Sequence, residues 1–241
     1  MVGQLVDTPA AREFMQEITS RLPAEGMISI SEAAVAKSSS FAGLLGGGRA
    51  RGLDASELTR LLRSSFPSRR HASQIVEHAG AGRLGGAIDE LVCGEGPLDE
   101  RLGGLDALLE GFPEARADLP WELLHFADPG RYWLWARWIW DPRVGTGALP
   151  LVTAEEADLE GGSRVETYAR VGEAMAMVGE TGRALGFIGE SPFALDVFLA
   201  CVYGIYMYTV LRMRMTQEFN RIVPELPALV RRLLGVYRPE V

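Results

Sequence analysis

The chain has 241 residues, of which 47% are hydrophobic and 23% charged, a composition typical of a folded globular protein and not of a disordered one. Its formal net charge of −8 argues against broad binding to nucleic acids or anionic membranes, because a surface that binds phosphates needs a positive field. Cys93 and Cys201 lie in apolar sequence without CxxC spacing, which predicts two buried thiols and neither a disulfide nor a zinc site.

Two further features bear on localisation. Residues 1–12 lack the basic and apolar regions of a secretory signal, which together with the cysteine usage predicts a cytoplasmic protein. The most apolar run, residues 197–211, is shorter than the roughly 20 residues that a membrane-spanning helix needs. We therefore expect it to form part of a buried helix.

Helix signals recur along the first half of the chain. Thr8 is the predicted N-cap and Pro9 the first residue of a helix that ends at Leu22. Residues 54–57 match a capping box, which predicts the start of another helix. Residues 37–52 include Gly46, Gly47 and Gly48, which predict a flexible loop. The predicted helices of this half cover 9–22, a start near 31, 54–65, 71–79, 84–93 and 98–109.

The second half carries three further predicted helices, over 163–185, from Ser191 to about Asn220, and over 224–234. Its connections are richer in turn residues than those of the first half. We accordingly divide the chain into a helical N-terminal half, 1–126, and a second half, 127–241, with a single domain as the alternative.

All five tryptophans fall between Trp121 and Trp140, and four of them lie in residues 131–140. Tryptophan has the largest area to bury and an N–H group that needs a partner. The tract therefore indicates either the centre of a core or a contact surface. A helix beginning at Asp128 and a β-strand both fit its sequence.

We favour the strand, because aromatic residues favour strands and the turn-rich residues 141–147 precede apolar residues 148–152. The predicted fold is mainly α-helical with one small β-hairpin around residues 131–152. One face of the hairpin would carry Arg131, Trp133, Trp135 and Arg137, and the other Trp138 and Trp140. We expect the arginines to lie over Trp133 and Trp135 as cation–π pairs.

The tract has three candidate roles. Core packing is the simplest, a protein-binding hot spot is the second, and a platform for a sugar, base or flat cofactor is the third. A combined hypothesis places one face inward and the arginine-bearing face against a partner. Exposure of Trp135 together with burial of Trp138 would support it.

The basic residues form one clear cluster in the sequence, and its simplest interpretation is a solvated face. Its functional interpretation is contact with an acidic partner or a nucleic-acid backbone. The candidate contacts are Arg49, Arg51, Arg63, Arg69 and Arg70.

Residues 105–126, Leu-Asp-Ala-Leu-Leu-Glu-Gly-Phe-Pro-Glu-Ala-Arg-Ala-Asp-Leu-Pro-Trp-Glu-Leu-Leu-His-Phe, resemble a helix–hairpin–helix motif. The resemblance implies two short helices whose connecting turn holds a DNA phosphate, with Gly111 at the position of the first turn glycine. Glu114 and Ala115 stand where a second glycine is usual. The lysine and aspartate of the catalytic glycosylases that carry this motif are not recognisable downstream.

Few residues suggest catalysis. His125 is the best titratable candidate, and Glu122 three residues earlier would be its partner in acid–base chemistry; a hydrogen-bonded core histidine is the simpler interpretation. His71 and His78 are too widely spaced for a typical metal site. We expect neither a metal nor a cofactor.

These observations rank three functions. The first is a non-catalytic interaction or accessory subunit of a cytoplasmic assembly, or a homo-oligomer, that uses the Trp tract and the apolar C-terminal helices. The second is a nucleic-acid-binding protein with a degenerate helix–hairpin–helix. The third is an enzyme or ligand-binding protein that uses His125 and the aromatic tract. A membrane partner is not expected.

Overall fold

The computed structural model describes residues 5–214 and 224–236, and these form ten α-helices. The helices are α1 Thr8–Arg21, α2 Ala24–Leu45, α3 Ala55–Arg63, α4 Ala72–Ala79, α5 Ala81–Cys93, α6 Leu98–Leu108, α7 Pro113–Ala127, α8 Arg164–Ala184, α9 Ala194–Arg214 and α10 Leu226–Leu233. Two 3-10 helices, Gly46–Gly52 and Leu149–Leu151, lie between them. The mainly helical fold predicted from the sequence is confirmed.

The described residues fall into two compact units that interleave along the sequence. Unit 1 takes the described parts of Met1–Ala34, Arg137–Glu160 and Ala169–Val241, and unit 2 takes Val35–Ala136 and Gly161–Tyr168. The helices α2 and α8 each contribute residues to both units. These units differ from the predicted halves, 1–126 and 127–241, because the chain returns to each unit after leaving it.

Unit 1 is built around α9, which packs against α1 and α10. Side chains from Leu195 to Val202 are buried, and so is Ile205. The predicted burial of this apolar run is therefore confirmed for residues 197–202 and for Ile205, whereas Tyr203 and residues 206–208 are half-buried and Thr209 is exposed. The helix begins at Ala194 and not at Ser191, and its predicted end near Asn220 lies outside the described residues. No helix within 5–214 or 224–236 is both long and apolar enough to cross a membrane.

Unit 2 is organised by α5, which packs against the 3-10 segment Gly46–Gly52, against α6 and against α7. The approach of the 3-10 segment to α5 is close at Gly85, where an added Cβ would lie 2.4 Å from the backbone oxygen of Ala50. Gly47 and Gly48 adopt positive φ angles of 65° and 81° and turn the chain here. Glycine at these positions therefore permits a compact turn.

The predicted loop over 37–52 is wrong, because α2 continues to Leu45 and the 3-10 segment follows it directly. Ile30, Ala34, Phe41 and Leu45 are all buried, and their spacings of four and seven residues place them on one face of a helix. This stripe stabilises the helix through packing, which overrides the weak helix propensity of the intervening serines. The capping box at Asp54 and Glu57 is confirmed, as are the helices predicted near 9–22, 71–79, 84–93, 98–109, 163–185 and 224–234.

The predicted β-hairpin over 131–152 is not confirmed, since this part of the described chain contains no paired strands. One isolated bridge joins Asp141 to Thr146, and the Ala148 N–H donates to the Trp138 carbonyl at 2.9 Å. The chain then enters the 3-10 helix Leu149–Leu151, whose proline cannot donate to a β-ladder. A tight loop therefore replaces the extended pairing.

Both cysteines are free, but only Cys201 is buried. The prediction of a buried Cys93 is wrong, because this residue lies in the last turn of α5 and is exposed. Burial in unit 1 raises the pKa of the Cys201 thiol to about 12, so this thiol remains protonated at neutral pH.

The close approach at Gly85 gives a stability prediction with a neighbouring control. Gly85→Ala places a methyl group against the Ala50 backbone and should lower the free energy of unfolding by about 1–3 kcal/mol. Gly86→Ala meets nothing within 4 Å and should raise it by roughly 0.5–1 kcal/mol, since alanine is the better helix former. Urea denaturation measures both changes, and equal effects of the two substitutions would contradict the packing.

Candidate functional site

A buried network of three polar side chains lies within unit 2. Lys37 Nζ donates to Glu122 Oε1 at 2.5 Å, and Ser65 Oγ donates to Glu122 Oε2 at 2.7 Å. Lys37 is 8% exposed, Glu122 5% and Ser65 0%. Both oxygens of the carboxylate therefore have a donor, as a buried charge requires.

The Lys37 ammonium also lies against two aromatic rings. It is 3.9 Å from the centroid of Phe126 and 5.2 Å from that of Phe41, distances at which ring faces attract a cation. Burial lowers the pKa of Lys37, and the Glu122 carboxylate opposes that shift. The amine is thus held between a carboxylate and two rings.

The sequence contained a signal for this network that the prediction of a loop obscured. Lys37 is the only lysine of the chain, whereas every other basic residue apart from histidine is arginine. It occupies the same stripe of α2 as the buried Ala34 and Phe41. A lone lysine within an apolar helical stripe indicates a buried, paired ammonium.

Ser65 begins a hydrogen-bonded turn that joins α3 to α4. Ser68 Oγ donates to the Leu62 carbonyl at 2.7 Å, and the Arg69 N–H donates to the Ser65 carbonyl at 3.0 Å. Both serines are fully buried. Phe66, next to Ser65, is 38% exposed, and the Arg69 guanidinium lies over its ring at 5.6 Å. We call residues 63–71 the basic turn.

The basic turn meets the connection between α6 and α7 through aromatic contacts. The ring of Phe112 lies 6.0 Å from those of both His71 and His78. Gly111, the neighbour of Phe112, is exposed. The structure therefore brings the region around Arg70 and His71 close to the region around Gly111, although the two lie far apart in the sequence.

Residues 109–112 connect α6 to α7, so two helices do flank Gly111. The φ of Gly111 is not positive, and a Cβ at this position would meet nothing within 4 Å. The local backbone thus places no demand for glycine there. The helix–hairpin–helix resemblance stays a prediction.

The remaining basic candidates have partners elsewhere in unit 2. Arg51 Nε donates to Asp89 Oδ2 at 2.5 Å, and its guanidinium lies 3.8 Å from Glu90. Arg49 Nη1 donates to the Gly43 carbonyl at 2.7 Å. Arg51 is therefore paired with two acidic residues of α5. Arg63, by contrast, donates to the Ser73 hydroxyl at 3.3 Å and links the basic turn to α4.

His125 is a buried histidine that bonds to the backbone. It is 3% exposed, and its Nδ1 lies 2.8 Å from the carbonyl oxygen of Tyr132. A carbonyl can only accept, so Nδ1 carries a proton. The predicted partner, Glu122, instead bonds to Lys37 and Ser65. This geometry fits the simpler interpretation, a core histidine.

Most of the Trp tract is packed inward. Trp121 is 0% exposed, Trp135 7% and Trp138 6%, whereas Trp133 is 38% exposed. Trp121 stacks on Tyr168 at 4.3 Å and contacts Trp135 at 5.2 Å within unit 2. Trp138, which belongs to unit 1, contacts Tyr203 at 6.3 Å.

The expected exposure of Trp135 is therefore wrong, although Trp138 is buried as expected. The chain here does not alternate as a strand, so Trp135 turns onto Trp121 while Trp133 remains outside. The Arg131 guanidinium lies over the Tyr132 ring at 5.2 Å, and not over Trp133. Arg137 and Trp140 are both half-buried.

Trp133 is fixed by a side chain from α8. The backbone N–H of Trp133 donates to the Tyr168 hydroxyl at 2.8 Å, and that hydroxyl donates to the backbone carbonyl of Trp133 at 3.3 Å. Burial raises the pKa of Tyr168, which keeps the phenol protonated and able to donate. A single hydroxyl thus satisfies both backbone groups of an exposed tryptophan.

Residues 5–214 and 224–236 contain no group of three metal-ligating side chains. No protein-family model matches the chain, and neither the curated proteins nor the solved structures contain a match.

The buried network predicts strong coupling between Lys37 and Glu122. Lys37→Met or Glu122→Leu leaves one charge buried without its partner and should cost about 3–5 kcal/mol of unfolding free energy. Replacing all three members, with Ser65→Ala added, should recover most of that loss because no polar group is then stranded. Urea titrations of the four proteins measure the coupling. Additive losses in the triple variant would contradict it.

Burial of the only lysine also makes a labelling prediction. Lys37 is 8% exposed and its Nζ is bonded to Glu122 Oε1, so the folded chain shields the amine from an acylating reagent. We expect little acylation of Lys37 in the native protein and ready acylation in denaturant, as mapped by mass spectrometry. Equal labelling rates in the two states would show that the amine is accessible.

Proposed function

We propose that this chain is a non-catalytic interaction subunit whose principal contact with a protein partner is Trp133. The observation that carries the proposal is a tryptophan with 38% of its surface exposed on a backbone fixed by Tyr168. Tryptophan is among the residues most enriched in the energetic centres of interfaces.

Fixing the backbone lowers the cost of binding. Association must immobilise flexible groups, and a pre-ordered anchor has already lost that freedom in the free protein. The Tyr168 ring is itself stacked on Trp121, which contacts Trp135. Three buried aromatic rings therefore support the displayed one. Arg131 is exposed nearby in sequence and suits the polar rim of such a contact.

The apolar C-terminal helices contribute less to the proposal than the sequence suggested. Side chains of α9 from Leu195 to Val202 are buried within unit 1, so this surface is already occupied. The exposed aromatic side chain of the Trp tract remains the better-supported contact. A second copy of the chain and a different protein are both compatible with this mode of binding.

An enzymatic or ligand-binding role for His125 has weaker support, since this side chain is 3% exposed and bonds to a backbone carbonyl. The cytoplasmic location belongs to the proposal and is supported by the two free cysteines.

Trp133 and Trp135 provide a matched pair for testing the proposal. Trp133→Ala should weaken assembly by at least about 2 kcal/mol, roughly 30-fold in affinity, while changing the unfolding free energy by only about 0.5 kcal/mol. Trp135→Ala should instead destabilise the fold by about 3–5 kcal/mol. Native mass spectrometry of the protein purified from its own host measures assembly, and urea titration measures stability.

Two results would count against this function. The first is a wild-type protein that is monomeric at high concentration and free of any co-purifying protein. The second is an observed assembly that stays intact in Trp133→Ala. Loss of the assembly together with an unchanged unfolding transition is the result that we expect.

A further inference from the structure

The basic turn concentrates positive charge in an otherwise acidic chain. Its nine positions, Arg-Ser-Ser-Phe-Pro-Ser-Arg-Arg-His, include three arginines and no acidic residue, against a net charge of −8 for the whole chain. Arg63, Arg70 and His71 are exposed, and Arg69 is half-buried over Phe66. A local positive field of this kind favours a polyanion.

Aromatic rings accompany these charges. Phe66 is 38% exposed beside Arg69, and the exposed rings of His71 and His78 flank Phe112. Arginine bonds to phosphate oxygens, whereas aromatic rings stack on unpaired bases. A ligand that satisfies both kinds of group has phosphates and accessible flat bases along one chain.

We propose that the basic turn binds single-stranded nucleic acid, with Phe66 as a stacking platform and Arg63, Arg69 and Arg70 as phosphate contacts. The proposal does not depend on the interaction through Trp133. A duplex fits the surface less well, because its bases are already stacked and cannot cover an exposed phenylalanine ring.

The neighbouring acidic residues limit the size of the site. Glu77 precedes His78 on α4, and Glu110 and Glu114 flank Phe112 in the sequence; all three are exposed. They disfavour phosphate at the Gly111 end, so the phosphate path follows the three arginines. This arrangement differs from a helix–hairpin–helix, in which the turn at Gly111 itself would hold the phosphate.

The buried network positions this surface. Ser65 is bonded to Glu122 directly before Phe66, and Ser68 is bonded to the Leu62 carbonyl directly before Arg69. The two fully buried serines therefore hold the backbone from which the stacking ring and the arginines project. Binding pays little to order the turn, which is already fixed in the free protein.

The test is fluorescence anisotropy with labelled oligothymidylate and oligouridylate of about 20 nucleotides and a duplex of the same length, across a salt series. Three phosphate contacts predict a slope of log affinity against log salt of about −2 for a single strand. Phe66→Ala should weaken binding by roughly 5- to 100-fold and leave that slope unchanged. Arg69→Gln with Arg70→Gln should make the slope shallower by about 1.4.

The matched control is Arg143→Gln with Val144→Ala, which removes an exposed arginine and an exposed apolar side chain from the loop of unit 1. This variant should bind like the wild type. Binding of either the deoxy or the ribo strand supports the proposal, and their ratio distinguishes DNA from RNA.

Four outcomes would overturn the proposal. These are an absence of binding to both strands at low salt, equal or tighter binding of the duplex, affinity that survives the Phe66 and arginine substitutions, and displacement of the oligonucleotide by polyglutamate as efficiently as by unlabelled strand. The last outcome would indicate an acidic protein partner. Circular dichroism of each variant, compared with the wild type, distinguishes a loss of binding from a loss of folding.

Discussion

The Glu122 carboxylate is the point at which three elements of unit 2 are joined. It lies on α7 and accepts hydrogen bonds from Lys37 of α2 and from Ser65 of the basic turn. A buried ion pair gives little net stability compared with apolar packing, because both ions lose their hydration. Its hydrogen bonds are directional, however, and an arrangement of the three elements that breaks them leaves buried polar groups without partners, which is costly.

A second constraint in the same unit is aromatic. Trp121 stacks on Tyr168 and contacts Trp135, and the guanidinium of Arg164 lies 5.0 Å from the Trp121 ring centroid. Arg164 also bonds to the Asp106 carboxylate, which ties the start of α8 to α6. Packing among large rings fills volume, while the Tyr168 hydroxyl and Arg164 supply the orientation that packing alone lacks.

The sequence predicted the short amphipathic helices well and the glycine- and serine-rich segment badly. The box at Asp54 and Glu57 is a local interaction, and it formed where it was expected. Residues 37–45 are helical because Lys37 and Phe41 meet Glu122 and Phe126, contacts that local propensity does not encode. The Trp tract failed as a hairpin for a related reason, since Tyr168 fixes the Trp133 backbone from 35 positions away.

The site residues were predictable to different degrees. The arginines of the basic turn were visible in the sequence as part of one cluster with Arg51. The sequence did not show that Arg51 would instead pair with Asp89 of α5. The exposure of Trp133 next to the buried Trp135 could not be predicted, because it depends on the path of an irregular segment of chain. Nothing in the order of residues showed that the Phe112 ring would lie near His71 of the basic turn and His78 of α4.

The two displayed aromatic side chains share one physical feature. An exposed apolar residue is common on protein surfaces and by itself indicates no function. Phe66 and Trp133 differ from an ordinary exposed residue, because a buried hydroxyl fixes the chain at or next to each of them. The Ser65 hydroxyl bonds to Glu122 directly before Phe66, and the Tyr168 hydroxyl bonds to the backbone of Trp133. Burying a polar anchor to hold an apolar group in water does not increase apolar burial. It does reduce the conformational entropy that the protein loses on binding, and this reduction matters only when a partner or ligand binds.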